Sequence, residues 1–132
     1  EELKADEVLI TADTVVCIHD RILGKPADRK EAISMLRELS GNRHLVVTGV
    51  SVTTRTEQLS FSSRTGVFFK HLSNEEIIFY VDTYKPFDKA GAYGIQEWIG
   101  YIGIERIEGS FYNVMGLPIQ KLYETLRKLQ FQ

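Results

Sequence analysis

The sequence lacks several features that would point to a secreted, membrane-bound or nucleic-acid-binding protein. Its 132 residues include a single cysteine, which excludes an internal disulfide and fits a reducing compartment. Lysine and arginine number 16 against 18 acidic residues, so the net charge of -2 gives no reason to expect nucleic acid or an acidic membrane as a partner. The apolar runs are too short to cross a bilayer, and no signal-peptide pattern is present. We therefore expect a cytoplasmic protein that binds neither nucleic acid nor membrane.

Three common sequence signatures of functional sites are also missing. The histidines, His19, His44 and His71, have no zinc-like spacing with one another or with Cys17. Neither the glycine pattern of a phosphate-binding P-loop nor that of a dinucleotide-binding fold occurs. The GxSxG elbow of serine hydrolases does not occur either. Any site must therefore be argued from other residues.

The most unusual stretch of the chain covers residues 7–26. Residues 7–18 are rich in β-branched side chains, a pattern that predicts a strand buried on both faces. Asp13 lies within this strand, and an ionised carboxylate is costly to bury without a partner. Lys25, in the following Gly-Lys-Pro turn, supplies a cation nearby. We interpret Asp13 and Lys25 as a candidate reactive pair; the alternatives are that Asp13 caps a neighbouring loop and that Lys25 only belongs to a turn.

The rest of the pattern alternates between helices and strands. Helical spacing and end signals predict three helices, at roughly 28–40, from Ser73 to Lys85, and from Pro118 onwards. Apolar β-branched segments predict strands at 45–52, 57–70 and 99–107, with a bulge or close backbone approach at Gly49. No linker or internal repeat interrupts the chain, so we predict a single α/β domain over 1–132.

A long irregular segment at 84–97 is the second candidate for function, because such loops in small domains tend to carry binding residues. Asp88 and Lys89 stand between helix-breaking residues, and an exposed ion pair is their simplest role. Gln96 is a candidate site residue, and the alternative is that it only faces solvent. Tyr93 is a candidate for stacking on a base, and the alternative is that it packs in the core. Residue chemistry alone therefore predicts an α/β domain with an acid-and-lysine cleft suited to phosphates.

Four segments of the chain together carry a family resemblance. They are ADTVV at 12–16 with LGKP at 23–26, LSGNRH at 39–44 with TGV at 48–50, DKAGAYGIQ at 88–96, and GSFYNVMGLP at 109–118. In this order and spacing the chain resembles the Maf family of nucleoside triphosphate pyrophosphatases over essentially its whole length. The YGIQ and GSFYNVMGLP forms resemble the branch acting on dTTP and UTP, whereas the branch acting on 7-methyl-GTP carries a different segment where Gln96 stands.

The resemblance implies a fold, a reaction and a set of site residues. The fold is a mixed, twisted sheet flanked by helices, similar to the inosine-triphosphate pyrophosphatases, with a cleft between two lobes. The reaction is hydrolysis of dTTP, UTP or a modified pyrimidine nucleotide to the monophosphate and pyrophosphate, with Mg²⁺ or Mn²⁺, in a homodimer. The catalytic acid, also a candidate metal ligand, falls on Asp13. The specificity positions fall on Thr14 and Gln96, and the conserved, phosphate-binding lysines fall on Lys25, a candidate catalytic residue, and Lys89.

One part of the family pattern has no counterpart in this sequence. Family members begin with a strand and a phosphate-gripping loop of the SxSxRR type, followed by another acid and a lysine. We therefore expect an N-terminally truncated Maf-like domain whose activity is impaired by loss of that loop. The alternative is a non-catalytic module that binds nucleotides or regulates cell division.

Overall fold

A five-stranded antiparallel sheet organises residues 2–129, the part of the chain that the computed structural model describes. The strands are β1 (Leu9–Ile18), β2 (Arg21–Leu23), β3 (Arg43–Thr53), β4 (Gln58–Phe69) and β5 (Ile104–Glu108). The helices are α1 (Arg29–Leu39), α2 (Asn74–Tyr84), α3 (Trp98–Gly103), α4 (Phe111–Met115) and α5 (Ile119–Lys128), with a 3₁₀ turn at Ala90–Ala92. The predicted α/β fold class is confirmed. The predicted domain limits of 1–132 include residue 1 and residues 130–132, which lie outside the described residues.

The strand order leaves part of β1 without a neighbour on one side. The order in the sheet is β2-β1-β3-β4-β5, and every neighbouring pair is antiparallel. β3 pairs with β1 from Leu9 to Cys17, whereas β2 reaches only Val16 to Ile18. Among the described residues, the edge of β1 from Leu9 to Val15 therefore has a strand partner on the β3 side only. The backbone groups on the other side of that segment are free to face a cavity or a ligand.

The prediction that β1 is buried on both faces was wrong for its first half. Leu9 and Ile10 are 50% and 41% exposed, and Asp13 is also exposed. Val16 and Ile18, in the second half, are only 2% and 4% exposed and belong to the main core. A β-branched run reports strand propensity, but burial requires other elements to pack on the strand.

The helix ends follow the predicted capping patterns. The Asp28 carboxylate accepts a hydrogen bond from the Glu31 backbone N–H at 2.8 Å, and α1 begins after it. Ser73 and Glu76 form the reciprocal capping box at the start of α2. At α1 the Glu31 carboxylate accepts instead from the backbone N–H of Ala27, so only half of the box forms there. These caps fix where α1 and α2 begin through contacts within the first turn.

Two further predictions differ from the structure. The segment predicted as a strand at 99–107 forms α3 and then the short β5. Short apolar runs do not distinguish helix from strand, and here burial of Ile99 and the edge-to-face contact of Trp98 with Phe79 accompany the helix. Gly49 shows no bulge, because β3 stays in register with both neighbours through this residue. It shows no close approach either, because a Cβ added there would have no atom within 4 Å beyond its chain neighbours. Within 2–129, no helix has the length and apolar character needed to cross a membrane.

Candidate active site

A cavity of about 570 Å³ lies beside the open edge of β1. Its lining comes from β1, the turn after β2, the loop at 88–96 and the C-terminal end of α4. All five residues predicted for the site line it: Asp13, Thr14, Lys25, Lys89 and Gln96. Since consecutive residues of a strand point to opposite faces, a cavity bordered by both Asp13 and Thr14 must reach across the strand edge. Long-range folding has therefore joined motifs that are up to 83 residues apart in sequence (96 minus 13).

Asp13 reaches this cavity as an exposed carboxylate. The expectation of an acid buried in a strand was wrong, because no part of residues 2–129 packs over the half of β1 that carries Asp13. Among the described residues, its side chain makes no hydrogen bond and no ion pair. The carboxylate is therefore available to a water molecule, a metal ion or a ligand.

Asp88 and Lys89 form a charged pair at the cavity. Their side chains approach to 3.3 Å, with Asp88 77% exposed and Lys89 33% exposed. The hydrogen bond from Lys89 lowers the pKa of Asp88, and the charge of Lys25 adds a smaller effect in the same direction. The exposed ion pair expected from the local sequence is thus confirmed, and it lies inside the candidate site. Asp88 was not among the predicted site residues; its position directly before Lys89 in the DKAGAYGIQ motif was the available signal.

The loop that carries Lys89 and Gln96 is held by a buried tyrosine. The Tyr80 hydroxyl accepts a hydrogen bond from the Gly94 backbone N–H at 3.0 Å and donates one to the Glu97 carboxylate at 2.5 Å. Burial, reinforced by the bond to Glu97, raises the pKa of Tyr80. The Gly91 backbone N–H donates to the Gly24 carbonyl at 3.1 Å, which ties this loop to the turn containing Lys25. The two lysine-bearing segments are therefore linked through the backbone.

A second buried pair lies under the same loop. The Tyr93 hydroxyl is 2.6 Å from His44 Nε2, and the His44 ring stacks on Phe69. Burial, followed by the nearby charge of Arg43, lowers the pKa of His44 to about 4. The imidazole is therefore neutral at pH 7 and has a structural role. Tyr93 is also buried, which favours the packing alternative over base stacking.

α4 forms the opposite side of the cavity and is anchored by Asn113. This residue is fully buried, and its amide nitrogen donates to Val46 O at 3.1 Å, to Ser63 O at 3.2 Å and to Thr65 Oγ1 at 3.0 Å. These contacts attach the short helix to β3 and β4, so that Met115 lies at the cavity. Asn113 was missed as a structural determinant of the site; its only signal was its place within the GSFYNVMGLP motif.

Thr14 and Gln96 occupy different environments in the cavity. Thr14 is half-buried, and its hydroxyl lies 2.9 Å from the hydroxyl of Thr48. Gln96 is exposed, and no hydrogen bond engages its amide among the described residues. The Thr14 hydroxyl is therefore held in place by Thr48, whereas the Gln96 amide is available to bind a ligand.

The donor set is suited to a metal ion that arrives with phosphates. Residues 2–129 contain no group of three histidine, cysteine, aspartate or glutamate side chains placed to hold a metal. Asp13 and Asp88 nevertheless give the cavity two carboxylates. Mg²⁺ is commonly bound through one or two carboxylates, with substrate phosphates and water completing the shell. The residues present therefore fit that mode of binding.

The chain matches the family model described as Maf-like protein over residues 1–129. It therefore belongs to the Maf family, and the predicted resemblance is confirmed. Curated relatives named dTTP/UTP pyrophosphatase occur in Parabacteroides distasonis, 59% identical over 122 residues, and in Porphyromonas gingivalis strain W83, 62% identical over 120 residues. A protein of the same name in Bacteroides thetaiotaomicron is 59% identical over 127 residues.

The alignments cover a larger share of this chain than of its relatives. The aligned regions cover 92%, 91% and 96% of this chain, in the order in which the relatives are named above. They cover 63%, 60% and 66% of the relatives. The chain thus spans less than two thirds of the length of the curated relatives it matches.

Proposed function

We propose that the protein represented by this chain hydrolyses dTTP and UTP to the nucleoside monophosphate and pyrophosphate. The observation that carries the proposal is the convergence of Asp13, Thr14, Lys25, Lys89 and Gln96 on one cavity. The names of the relatives support this choice of substrates. The cavity combines two cations for phosphates with an amide and a hydroxyl for a base or sugar.

The proposed chemistry is attack of water on the α-phosphorus. The new bond joins the water oxygen to phosphorus, and the bond from phosphorus to the oxygen bridging the α- and β-phosphates breaks. Asp13 either accepts the proton of the attacking water or binds a metal ion, and one exposed carboxylate is suited to both roles. We propose Mg²⁺ or Mn²⁺, held by Asp13 and Asp88; such an ion neutralises phosphate charge when bound.

The two lysines would stabilise the charge of the leaving pyrophosphate. Lys25 and Lys89 are brought together by the backbone bond between their loops, and Asp88 holds Lys89 at the cavity. A bound triphosphate would compete with Asp88 for the Lys89 ammonium. Cations that are positioned before the reaction stabilise developing charge without reorganisation.

Gln96 and Thr14 would recognise the nucleoside. The glutamine amide can accept from the N3–H of uracil or thymine and donate to an adjacent carbonyl. Adenine presents an amino group beside a ring-nitrogen acceptor at that edge, which would leave an amide in this orientation badly paired and lower the affinity. This division of the cavity into a phosphate end and a nucleoside end is part of the proposal.

Pyrophosphate release is the direct test. A chimera in which residues 1–129 replace the matched region of the Parabacteroides distasonis relative would be assayed with UTP, dTTP, CTP and GTP and either Mg²⁺ or Mn²⁺, in parallel with the 132-residue chain. We expect release from UTP and dTTP above the other two in the chimera, with slower release from the 132-residue chain.

The outcomes separate the proposed function from its rivals. Nucleotide binding without any pyrophosphate release by the chimera would contradict the enzymatic proposal and favour the non-catalytic nucleotide-binding or regulatory module. If no nucleotide shifts the melting temperature, both the enzymatic proposal and the nucleotide-binding alternative would be contradicted. A homodimer and a cytoplasmic location remain additional predictions, to be checked by sedimentation and by cell fractionation.

A further inference from the structure

Thr48 lies between two oxygen atoms at the inner side of the candidate site. Its side chain is fully buried on β3, directly across from Thr14 of β1. The Thr48 hydroxyl oxygen is 2.9 Å from the Thr14 hydroxyl oxygen and 3.4 Å from the backbone carbonyl oxygen of Asn113. Thr48 itself is not among the residues lining the cavity, whereas Thr14 is.

The chemistry of these three groups determines the direction of both hydrogen bonds. A carbonyl oxygen can only accept, so Thr48 must donate its single proton to Asn113. Thr48 then has only lone pairs left for its partner, and Thr14 must donate to Thr48. The reverse arrangement would direct a lone pair of Thr48 at the carbonyl oxygen and lose one of the two bonds.

The Asn113 carbonyl is held in place and cannot turn away from Thr48. The Asn113 side chain is bonded to β3 and β4, and its carbonyl also accepts from the Gly116 backbone N–H at 3.0 Å. The Asn113 backbone N–H in turn donates to the Ser110 hydroxyl at 3.2 Å. α4 therefore presents a fixed acceptor to Thr48.

We infer that Thr48 is a positioning residue that fixes the Thr14 hydroxyl as a hydrogen-bond acceptor towards the cavity. The inference rests on the proposed function and concerns what Thr14 recognises there. With its proton committed to Thr48, Thr14 offers only lone pairs to a ligand, so the nucleotide must present a donor at this point.

Two donors are shared by UTP and dTTP. One is the imide N3–H of the base, which cytosine lacks because its N3 is an acceptor. The other is the 3′-hydroxyl of the sugar. Thr14 would accept from one of these donors; where that donor is N3–H, the Gln96 amide only donates to an adjacent carbonyl. A nucleotide without the donor would leave the Thr14 oxygen unpaired when bound. The test therefore needs one comparison for the base and one for the sugar.

The test measures dissociation constants of the 132-residue chain with α,β-imido analogues of UTP, CTP and 3′-deoxy-UTP, which resist cleavage at the reacting bond. Thr48→Val removes the hydroxyl with little change in shape, and Thr48→Ser retains it. Ser51→Ala is the matched control, because Ser51 is on the same strand and its hydroxyl pairs at 3.0 Å with Ser60, away from the cavity. Thermal melting checks that each variant is folded.

In Thr48→Val the Thr14 hydroxyl is released and can donate to the ligand. We expect the preference for the UTP analogue over one of the other two to fall about three- to tenfold, the size of a lost hydrogen bond. A fall in the ratio of the dissociation constants for the CTP and UTP analogues identifies the base as the donor. A fall in the ratio for the 3′-deoxy-UTP and UTP analogues identifies the sugar. Thr48→Ser and Ser51→Ala should keep both wild-type ratios.

Unchanged ratios in Thr48→Val, or equal changes in Thr48→Val and Thr48→Ser, would overturn the inference. If Thr48→Val does not fold, Thr14→Val removes the acceptor from the cavity side and should lower the same ratio; unchanged ratios there would also overturn it. Failure of both the 132-residue chain and the chimera to bind any analogue would overturn the inference together with the proposed function; if only the chimera binds, the same ratios are measured with the variants in the chimera. Binding with the expected ratios but no pyrophosphate release by the chimera would support the inference and contradict only the hydrolysis.

Discussion

The two halves of β1 are similar in sequence but differ in exposure and in strand pairing. Leu9 to Asp13 is an apolar, β-branched segment that remains exposed and pairs only with β3. Thr14 to Ile18 has the same character, but β2 pairs with its last three residues and the core covers Val16 and Ile18. The candidate site lies where one half meets the other, between Asp13 and Thr14.

The difference shows that exposure, and not burial, makes Asp13 available for chemistry. A buried carboxylate would need a partner to compensate for its lost hydration. Asp13 has no such partner among the described residues, and its solvent-facing half of the strand requires none. The packed half, in contrast, supplies the rigid base on which Thr14 and the neighbouring loop are positioned. We therefore expect substitution of Asp13 to change activity, and substitutions in the core around Val16 and Ile18 to change stability.

The largest expected effect is loss of turnover in Asp13→Asn. In the chimera assay we expect the pyrophosphate release rate to fall by about two to four orders of magnitude, because the amide can neither accept a proton nor replace a charged metal ligand. The free energy of unfolding should change by less than about 0.5 kcal/mol, since the residue is exposed and unpaired. Asp6→Asn, an exposed acid outside the cavity, is the control. Near-normal release from Asp13→Asn would remove Asp13 from the chemistry.

A pH effect on stability should follow from the core beside the packed half. The pKa of His44 is about 4 in the folded state, against about 6.5 for an unperturbed histidine. As the pH falls from 6.5 towards 4, the unfolded chain binds a proton that folded His44 does not, so stability decreases by up to about 3 kcal/mol. Urea unfolding at pH 7, 5.5 and 4 would measure this loss. His44→Gln should flatten the pH dependence and the exposed His71→Gln should not; parallel curves for all three proteins would contradict the assignment.

Gly91→Ala should destabilise the contact between the loop and the packed half. Gly91 has φ of +70°, and a Cβ there would stand 2.9 Å from Val16 Cγ2. We expect a loss of about 2 kcal/mol from backbone strain and this overlap together. Chemical denaturation of Gly91→Ala, Val16→Ala and the double variant would show whether the two changes are coupled. Gly49→Ala, at a position with open space, is the control; an equal loss there would mean that the Val16 contact is unimportant.

The smallest expected effect concerns substrate preference at Gln96. Gln96→Met removes both hydrogen-bonding groups from an exposed side chain of similar length, so we expect the preference for UTP over CTP to fall about tenfold. The melting temperature should stay within the range of Gln58→Met, an exposed control on β4 outside the cavity. Rates that fall by the same factor for UTP, CTP and GTP would contradict a role in specificity.

Local signals in the sequence were sufficient for most of the helices and strands. Asp28 and Ser73 begin helices because their side chains accept from backbone N–H groups within the same turn. The prediction of a strand at 99–107 was wrong because this segment has no such local signal. Its apolar residues have no local feature that decides between helix and strand, and α3 depends on packing with distant residues such as Phe79.

The candidate site residues could be located by their motifs, but their surroundings could not. Five residues were expected at one site, and all of them line the same cavity: Asp13, Thr14, Lys25, Lys89 and Gln96. The ion pair of Asp88 with its neighbour Lys89 is local and was predicted, although Asp88 was not named as a site residue. Asn113 and Thr48 were not expected to contribute, because their roles depend on contacts across the fold. Thr48 and Asn113 are separated by 65 residues in sequence and joined by one hydrogen bond.

The sequence by itself determined the element types that have local causes, the family and the residues that carry the candidate chemistry. Capping, turn residues and motif spacing act within a few residues, so they can be read without a structure. Only the tertiary structure decided that the rest of the described chain leaves half of β1 uncovered, that the open edge of this strand borders a cavity, and that Asp13 is exposed. These properties depend on which distant elements pack on the strand, and no local pattern contains that information.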